Sequence, residues 1–352
     1  MNAFFLCIVL FIIIYNISHI GGKKSRKRVC YLMFFFFLFL HCLKNNEIYP
    51  DIIPYEEMFD RLSREATLKE ALSGPALFEP IWTIITYGFS RILPSSELYF
   101  HCISLGICAG YAIFCYRYSK NILFSFMMIM LYPSLMNQSF YVLRQHLASV
   151  VLLYSLPYIQ HQNMRKYFLC VFVAFLIHYS AIIMFPLYYL FKMLYSKRRN
   201  VNVLLFIFIP FAFRYSLSFL SYDRFVSYVN NSDSNLLPFI YSASILFLLI
   251  MIRKKEKYIF EKPEEEITEW FLYKAYIIYS FMISVACIGS SLGRLSNYFV
   301  AFYICAIPYF ANYFAKSSRN LIYIMYLMFC FILLYFAYGS GYTIFDYNIN
   351  LS

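Results

Sequence analysis

Charge is scarce in this chain: Asp, Glu, Lys and Arg make up 14% of its 352 residues, against about a quarter in soluble domains. With 62% hydrophobic residues, the composition excludes a water-soluble domain and indicates an all-α, polytopic integral membrane protein. Glycine is sparse too, at 10 residues, and no Gly-rich phosphate loop, dinucleotide fingerprint or G-x-S-x-G elbow occurs. Coupling to nucleotide hydrolysis therefore has no support. The ten cysteines form no C-x-x-C and mostly lie in apolar runs, where they read as small core hydrophobes. The six histidines make no HExxH or paired ligand spacing, so neither a metal site nor a cofactor is expected.

What charge there is leans basic, 30 Lys and Arg against 18 Asp and Glu. These residues stand in short clusters between apolar runs and form no basic domain, the pattern of membrane-topology signals and not of a nucleic-acid surface. Apolar runs fall at 4–20, 29–43, 98–116, 122–142, 143–160, 167–191, 201–220, 236–252, 270–290, 298–315 and 321–338. Residues 4–20 read as a retained first span with its N-terminus outside, because the cluster Lys23 to Arg28 follows it. The basic loops alternate with the runs except at 167–191, after which Lys192, Lys197, Arg198 and Arg199 would fall outside. The conflict disappears if this run enters and returns, turning near His178 after about 11 residues, roughly half a bilayer. One long helix that violates the charge rule is the alternative.

The expected fold is thus a single membrane domain over 1–352 with about ten transmembrane helices and a broken or re-entrant helix pair near 167–191. Outer-face loops are expected at 44–97, 221–235 and 289–297, and a cytoplasmic loop at 253–269. Within the first outer loop, residues 54–72 predict one external amphipathic helix, opened by Pro54, with Tyr55, Phe59, Leu62 and Ala66 along one side. Residues 81–93 are too short to cross and are expected to dip in or lie at the interface.

Ionisable residues inside such sequence need partners, water or a function. Asn137, Tyr141, Arg144 and Ala148 share one face if the helix is continuous there, with Gln138, Gln145 and Ser149 beside it. This places the Arg144 guanidinium at an outer vestibule, where it can hold phosphate or anchor to headgroups. Arg294 stands at another outer helix entrance, Arg214 and Arg224 are weaker candidates, and these cations, unpaired in the sequence reading, suit an anionic lipid headgroup. His178 can act as base, as phosphate ligand or as the residue closing a helix break. Asp51, Glu56, Glu57 and Glu79 are outer carboxylates able to bind sugar hydroxyls or take a proton.

Several pieces, in order, resemble the EpsG/Wzy-like family of polysaccharide polymerases over nearly the whole chain. They are Asp51, Tyr55 and Phe59 in D-x-x-x-Y-x-x-x-F, Glu79-Pro80, LRQHLA at 143–148, LIHYSAIIMFP at 176–186 and GRLSNYF at 293–299. The family commonly has glycine after Glu-Pro, where this chain has Ile81. The resemblance implies glycosyl transfer without metal or cofactor at the outer face of a bacterial inner membrane. A glycan moves from undecaprenyl diphosphate to the end sugar of another lipid-linked repeat unit. The site residues expected are His178, Arg144 and Arg294 for catalysis, with Gln145, Tyr141, Asp51, Tyr55, Glu79 and Arg224 binding substrate; Tyr141 enters by its helical spacing and Arg224 by its outer-loop position, and the others lie in the matching pieces. The implied partners are the lipid-linked glycans, membrane lipids, a chain-length regulator and a flippase, with no nucleic acid. A ligase-type transfer and a non-enzymatic flippase or transporter are the alternatives.

Overall fold

In the computed structural model, the structure describes residues 25–42, 51–65, 67–73, 78–136, 138–189, 294–312 and 314–339, together with Leu272, Lys274, Ala275, Ile278, Tyr279 and Met282. Outside them lie the runs 4–20, 201–220 and 236–252, the loops 221–235 and 253–269, Arg214, Arg224, Lys192 to Arg199 and Asn137. The described residues are helical, with no strand among them.

The helices that position the site are α1 (Ser25–Cys42), α2 (Ile53–Arg64), α3 (Leu68–Ser73), α4 (Pro80–Ser90), α5 (Ser96–Tyr118), α6 (Ile122–Leu131), α7 (Leu143–Leu153), α8 (Met164–Ile177), α9 (Asn297–Ala311) and α10 (Lys316–Gly339). Among them α5, about 35 Å of helix, is long and apolar enough to cross a membrane. The expected spans over 4–20, 201–220 and 236–252, and most of 270–290, lie outside the described residues, and among the described residues α5 is the one helix that meets the length and apolarity of a span. The run 122–142, for instance, does not form one helix. Pro133 forces Tyr132 into extended backbone (φ −86°, ψ 112°), so α6 stops at Leu131 and two single turns, Pro133–Met136 and Gln138–Tyr141, follow.

α9 sits at the centre, buried along its whole length, as a helix apolar on every side must be. Its Pro308 has no N–H to give to the Ile304 carbonyl one turn back, and the Ser125 hydroxyl of α6 donates to that carbonyl instead (3.4 Å). α5 packs against α1 and α7, and α7 against α8 and α9. Outward, Tyr31, Phe35 and Phe39 recur every fourth residue on α1, and Leu321, Met325, Met328 and Ile332 line α10, all exposed. Water solvates such apolar stripes poorly, whereas lipid tails solvate them well.

Gly110 on α5 lets α7 approach closely. A Cβ there would lie 2.6 Å from Val150 Cγ2 and 3.0 Å from Val150 Cβ, too close for side-chain adjustment alone. Gly110→Ala is therefore expected to push α7 away and to cost about 1–3 kcal/mol, read as a lower unfolding midpoint in detergent. Because α7 carries Arg144, activity should fall with it; an unchanged midpoint would contradict the contact.

Two expected segments differ in detail. The single helix over 54–72 is two helices: Glu65 is extended (φ −69°, ψ 131°), and Thr67 with Glu70 opens α3 as a reciprocal cap, Thr67 N–H to Glu70 Oε2 at 3.0 Å and Glu70 N–H to Thr67 Oγ1 at 3.3 Å. The T-x-x-E pattern was there to be read. The buried side of α2 holds Tyr55, Phe59 and Leu62, as the spacing predicts, with Met58 in addition, and it packs on α4; Ala66 lies outside the described residues. In the run 167–191, α8 ends at His178, and the following 3-10 segment Tyr179–Met184 leads the chain back. The Tyr167 hydroxyl donates to the Met184 carbonyl (2.6 Å), Phe185 lies on Phe168 with ring centroids 4.6 Å apart, and the Tyr189 hydroxyl reaches Met164 Sδ (3.9 Å). The chain thus reverses at His178.

Candidate functional site

Three breaks in helical structure converge on one cavity of about 260 Å³, lined by Asp51, Pro54, Tyr55, Phe78, Val142, Arg144, Gln145, His178, Ser180, Arg294 and Leu295. The first has a cause in the local sequence, and the other two show as departures from helical backbone. Pro80 opens α4 and confines Glu79 to extended backbone (φ −60°, ψ 147°), aiming its carboxylate away from the helix it caps. His178 is extended (φ −154°, ψ 117°) between α8 and the 3-10 segment, and Val142 leaves helical geometry (ψ 52°) just before α7.

At the back of the cavity stands Glu79, 2% exposed and absent from the cavity wall itself. Its Oε1 accepts from His178 Nδ1 (2.8 Å) and from the Tyr179 N–H (3.1 Å), one of the unpaired amides that open a helical segment. Its Oε2 pairs with Arg144 Nη1. Burial alone would raise the carboxyl pKa, but the His178 bond, the Arg144 charge and the Tyr179 amide outweigh it and hold it at about 2. Glu79 is therefore a carboxylate at any physiological pH, able only to accept. The proton between it and His178 then sits on Nδ1, which leaves Nε2 as the atom free for chemistry.

Arg144 is fixed on three sides. Besides Glu79, its Nε donates to the Tyr55 hydroxyl (3.3 Å), and its guanidinium lies over the Phe78 ring, 4.2 Å from the centroid. A headgroup anchor would extend away from the protein; this side chain is 19% exposed and packed inward. Arg294 is held differently. Its carbonyl accepts from Gln145 Nε2 (2.6 Å), while its guanidinium, 49% exposed, meets Asp51 Oδ2 at 3.5 Å. Asn297 closes this amide cluster, donating to Gln138 Oε1 (2.6 Å) and Gln145 Oε1 (3.3 Å). Ser180 shares a hydrogen bond with the Tyr298 hydroxyl (2.8 Å), which ties the returning 3-10 segment to α9.

Of the residues singled out by sequence, His178, Arg144, Arg294, Gln145, Asp51 and Tyr55 meet at the cavity, and Glu79 underpins it. Tyr141 does not line it: the helix breaks at Val142, so Tyr141 falls out of phase with Arg144 and packs against the apolar core. Arg224 lies outside the described residues. The expectation of unpaired cations is corrected, since both Arg144 and Arg294 have carboxylate partners. Sequence reasoning missed Phe78 and Ser180. Phe78 precedes Glu79 directly and was legible as part of the same turn; Ser180 follows His178 by two residues. It also missed that Glu79 joins Arg144 to His178, because 65 and 99 residues separate it from them.

A family model described as the EpsG family matches residues 27–349, which span every element that builds the cavity. No curated protein and no solved structure matches the chain.

Proposed function

Since the chain belongs to the EpsG family, the family of Wzy-like polysaccharide polymerases, we propose that it polymerises undecaprenyl-diphosphate-linked oligosaccharide repeat units at the outer face of a bacterial inner membrane, which it crosses many times. The observation that carries this reading is the linkage of His178 and Arg144, through the buried Glu79 behind them, at a cavity that Arg294 also lines. At about 260 Å³ the cavity is below the range of about 300–1,000 Å³ for pockets that engulf a drug-sized ligand, so it suits a reacting glycosidic bond with its phosphates and not a whole repeat unit.

In this mechanism the acceptor hydroxyl gives its proton to His178 Nε2 and its oxygen attacks the anomeric carbon of the donor sugar. The bond from that carbon to the diphosphate oxygen breaks, and undecaprenyl diphosphate leaves with the electron pair. Glu79 holds the imidazole in the tautomer that exposes Nε2 and stabilises the imidazolium that forms, the part a carboxylate plays in hydrolytic triads. Charge developing on the departing diphosphate meets the Arg294 guanidinium at the cavity wall, whose stabilisation grows as water is excluded. The apolar wall of Pro54, Tyr55 and Phe78 offers a surface against which a sugar ring can lie.

The test is reconstitution of the full chain in lipid nanodiscs with purified lipid-linked repeat unit. A ladder of lengthened lipid-linked glycans with release of undecaprenyl diphosphate is expected. Transfer only to a different lipid acceptor would replace the polymerase by a ligase-type reaction. Movement of intact repeat unit across a sealed bilayer without elongation would replace it by a flippase.

A further inference from the structure

The two arginines at the cavity are held with unequal strength. Arg144 is committed: its partner Glu79 is buried, and a buried charge left without its partner is strongly unfavourable. Arg294 faces Asp51 at 3.5 Å, with both side chains substantially exposed, and such pairs hold each other weakly. Yet the backbones under this loose pair are firm. The Arg294 carbonyl is bonded to buried Gln145, and Ile52, next to Asp51, is itself buried and accepts the Tyr55 N–H (2.8 Å) through its carbonyl. A mobile ion pair on fixed supports, at a cavity wall, is suited to partner exchange.

We propose that Asp51 is an exchangeable partner of Arg294, occupying on its guanidinium the place that a substrate phosphate takes. The Arg144 guanidinium, spent on Glu79, Tyr55 and Phe78, supports His178, and Arg294 supplies the anion seat. An arriving diphosphate offers Arg294 two or more charge-assisted, bidentate bonds in place of one long contact, and its negative charge repels the Asp51 carboxylate. Asp51 thus weakens resting phosphate binding, and its return to Arg294 helps the product leave. The inference rests on the proposed polymerase reading for the identity of the ligand, a lipid diphosphate, but the anion seat itself can be tested apart from it.

The probe is inorganic pyrophosphate, with the full chain in phosphatidylcholine nanodiscs. Removing the competing carboxylate in Asp51→Asn should tighten pyrophosphate binding about two- to fivefold, the range an exposed ion pair allows. The KM for lipid-linked repeat unit should fall by a similar factor. Arg294→Gln should weaken pyrophosphate binding, and in the Arg294→Gln, Asp51→Asn double variant the gain from Asp51→Asn should vanish. Weaker pyrophosphate binding in Asp51→Asn, or a raised KM, would make Asp51 a direct substrate ligand and overturn the proposal. So would a gain that persists without Arg294. If phosphatidylglycerol in the disc abolishes pyrophosphate binding, bulk headgroups take the seat and the diphosphate assignment is overturned. A chain that fails to polymerise yet shows the Arg294-dependent gain keeps the seat and loses the polymerase reading; one that polymerises without the gain does the reverse.

Discussion

Glu79→Ala is expected to abolish polymer formation and to lower the yield of folded protein. The substitution leaves the Arg144 guanidinium over Phe78 without its counter-charge, the Tyr179 N–H without its acceptor and His178 Nδ1 without its partner. Removing one member of a buried ion pair costs about 3–5 kcal/mol, a large part of a typical folding free energy. Since that variant loses fold and function together, Glu79→Gln separates them. Its amide is nearly isosteric and keeps one acceptor oxygen for the Tyr179 N–H and His178, but it turns an NH2 toward Arg144. Folded protein should be recovered, by size-exclusion profile in detergent, while the polymerisation rate drops about 100-fold or more. Wild-type chain length in folded Glu79→Gln would show that the charge of Glu79 is not needed.

The linkage of this carboxylate to stability has a defined sign. With its pKa depressed from 4.5 to about 2, Glu79 contributes stability that is complete above about pH 4.5 and is lost as pH falls toward 2. A fall of that size is worth about 3 kcal/mol. Thermal unfolding midpoints of the wild type should decline over that acid window, and Glu79→Gln should flatten the decline. Between about pH 5 and 8 Glu79 does not titrate, so any activity change there has another source.

How much of this was legible beforehand differs by residue. Helical class followed from composition, the buried side of α2 from the spacing of Tyr55, Phe59 and Leu62, and the turn at His178 from the excess of basic residues on both sides of one apolar run. These signals are local, set by period or by charge within about 25 residues. The partnership of Glu79 with Arg144 and His178 is not local: it depends on α4, α7 and α8 packing together, which no periodicity encodes. Arginine without a nearby acid in sequence therefore read as an unpaired cation. The same limit explains Tyr141. A continuous helix would have kept it beside Arg144, and the departure from helical geometry at Val142 has no proline or glycine to announce it. Pro133, in contrast, is a local signal for the break at Tyr132, which the reading of 122–142 as one run passes over.

His178 carries the remaining large effect, because in the proposed reaction it is the group that takes the acceptor proton. His178→Ala should leave single repeat units on the lipid with little polymer, a loss of about 100- to 10,000-fold for a general base. Its Nδ1 is committed to a carboxylate that stays ionised, so Nε2 decides activity: a neutral imidazole accepts the proton, and a protonated one cannot. His178→Gln, which can still donate toward Glu79 and close the break between α8 and the 3-10 segment, should retain folded protein but lose most of the activity. An active His178→Gln enzyme would reduce the residue to a helix-breaking role and move the search for the base to Asp51, a carboxylate on the cavity wall.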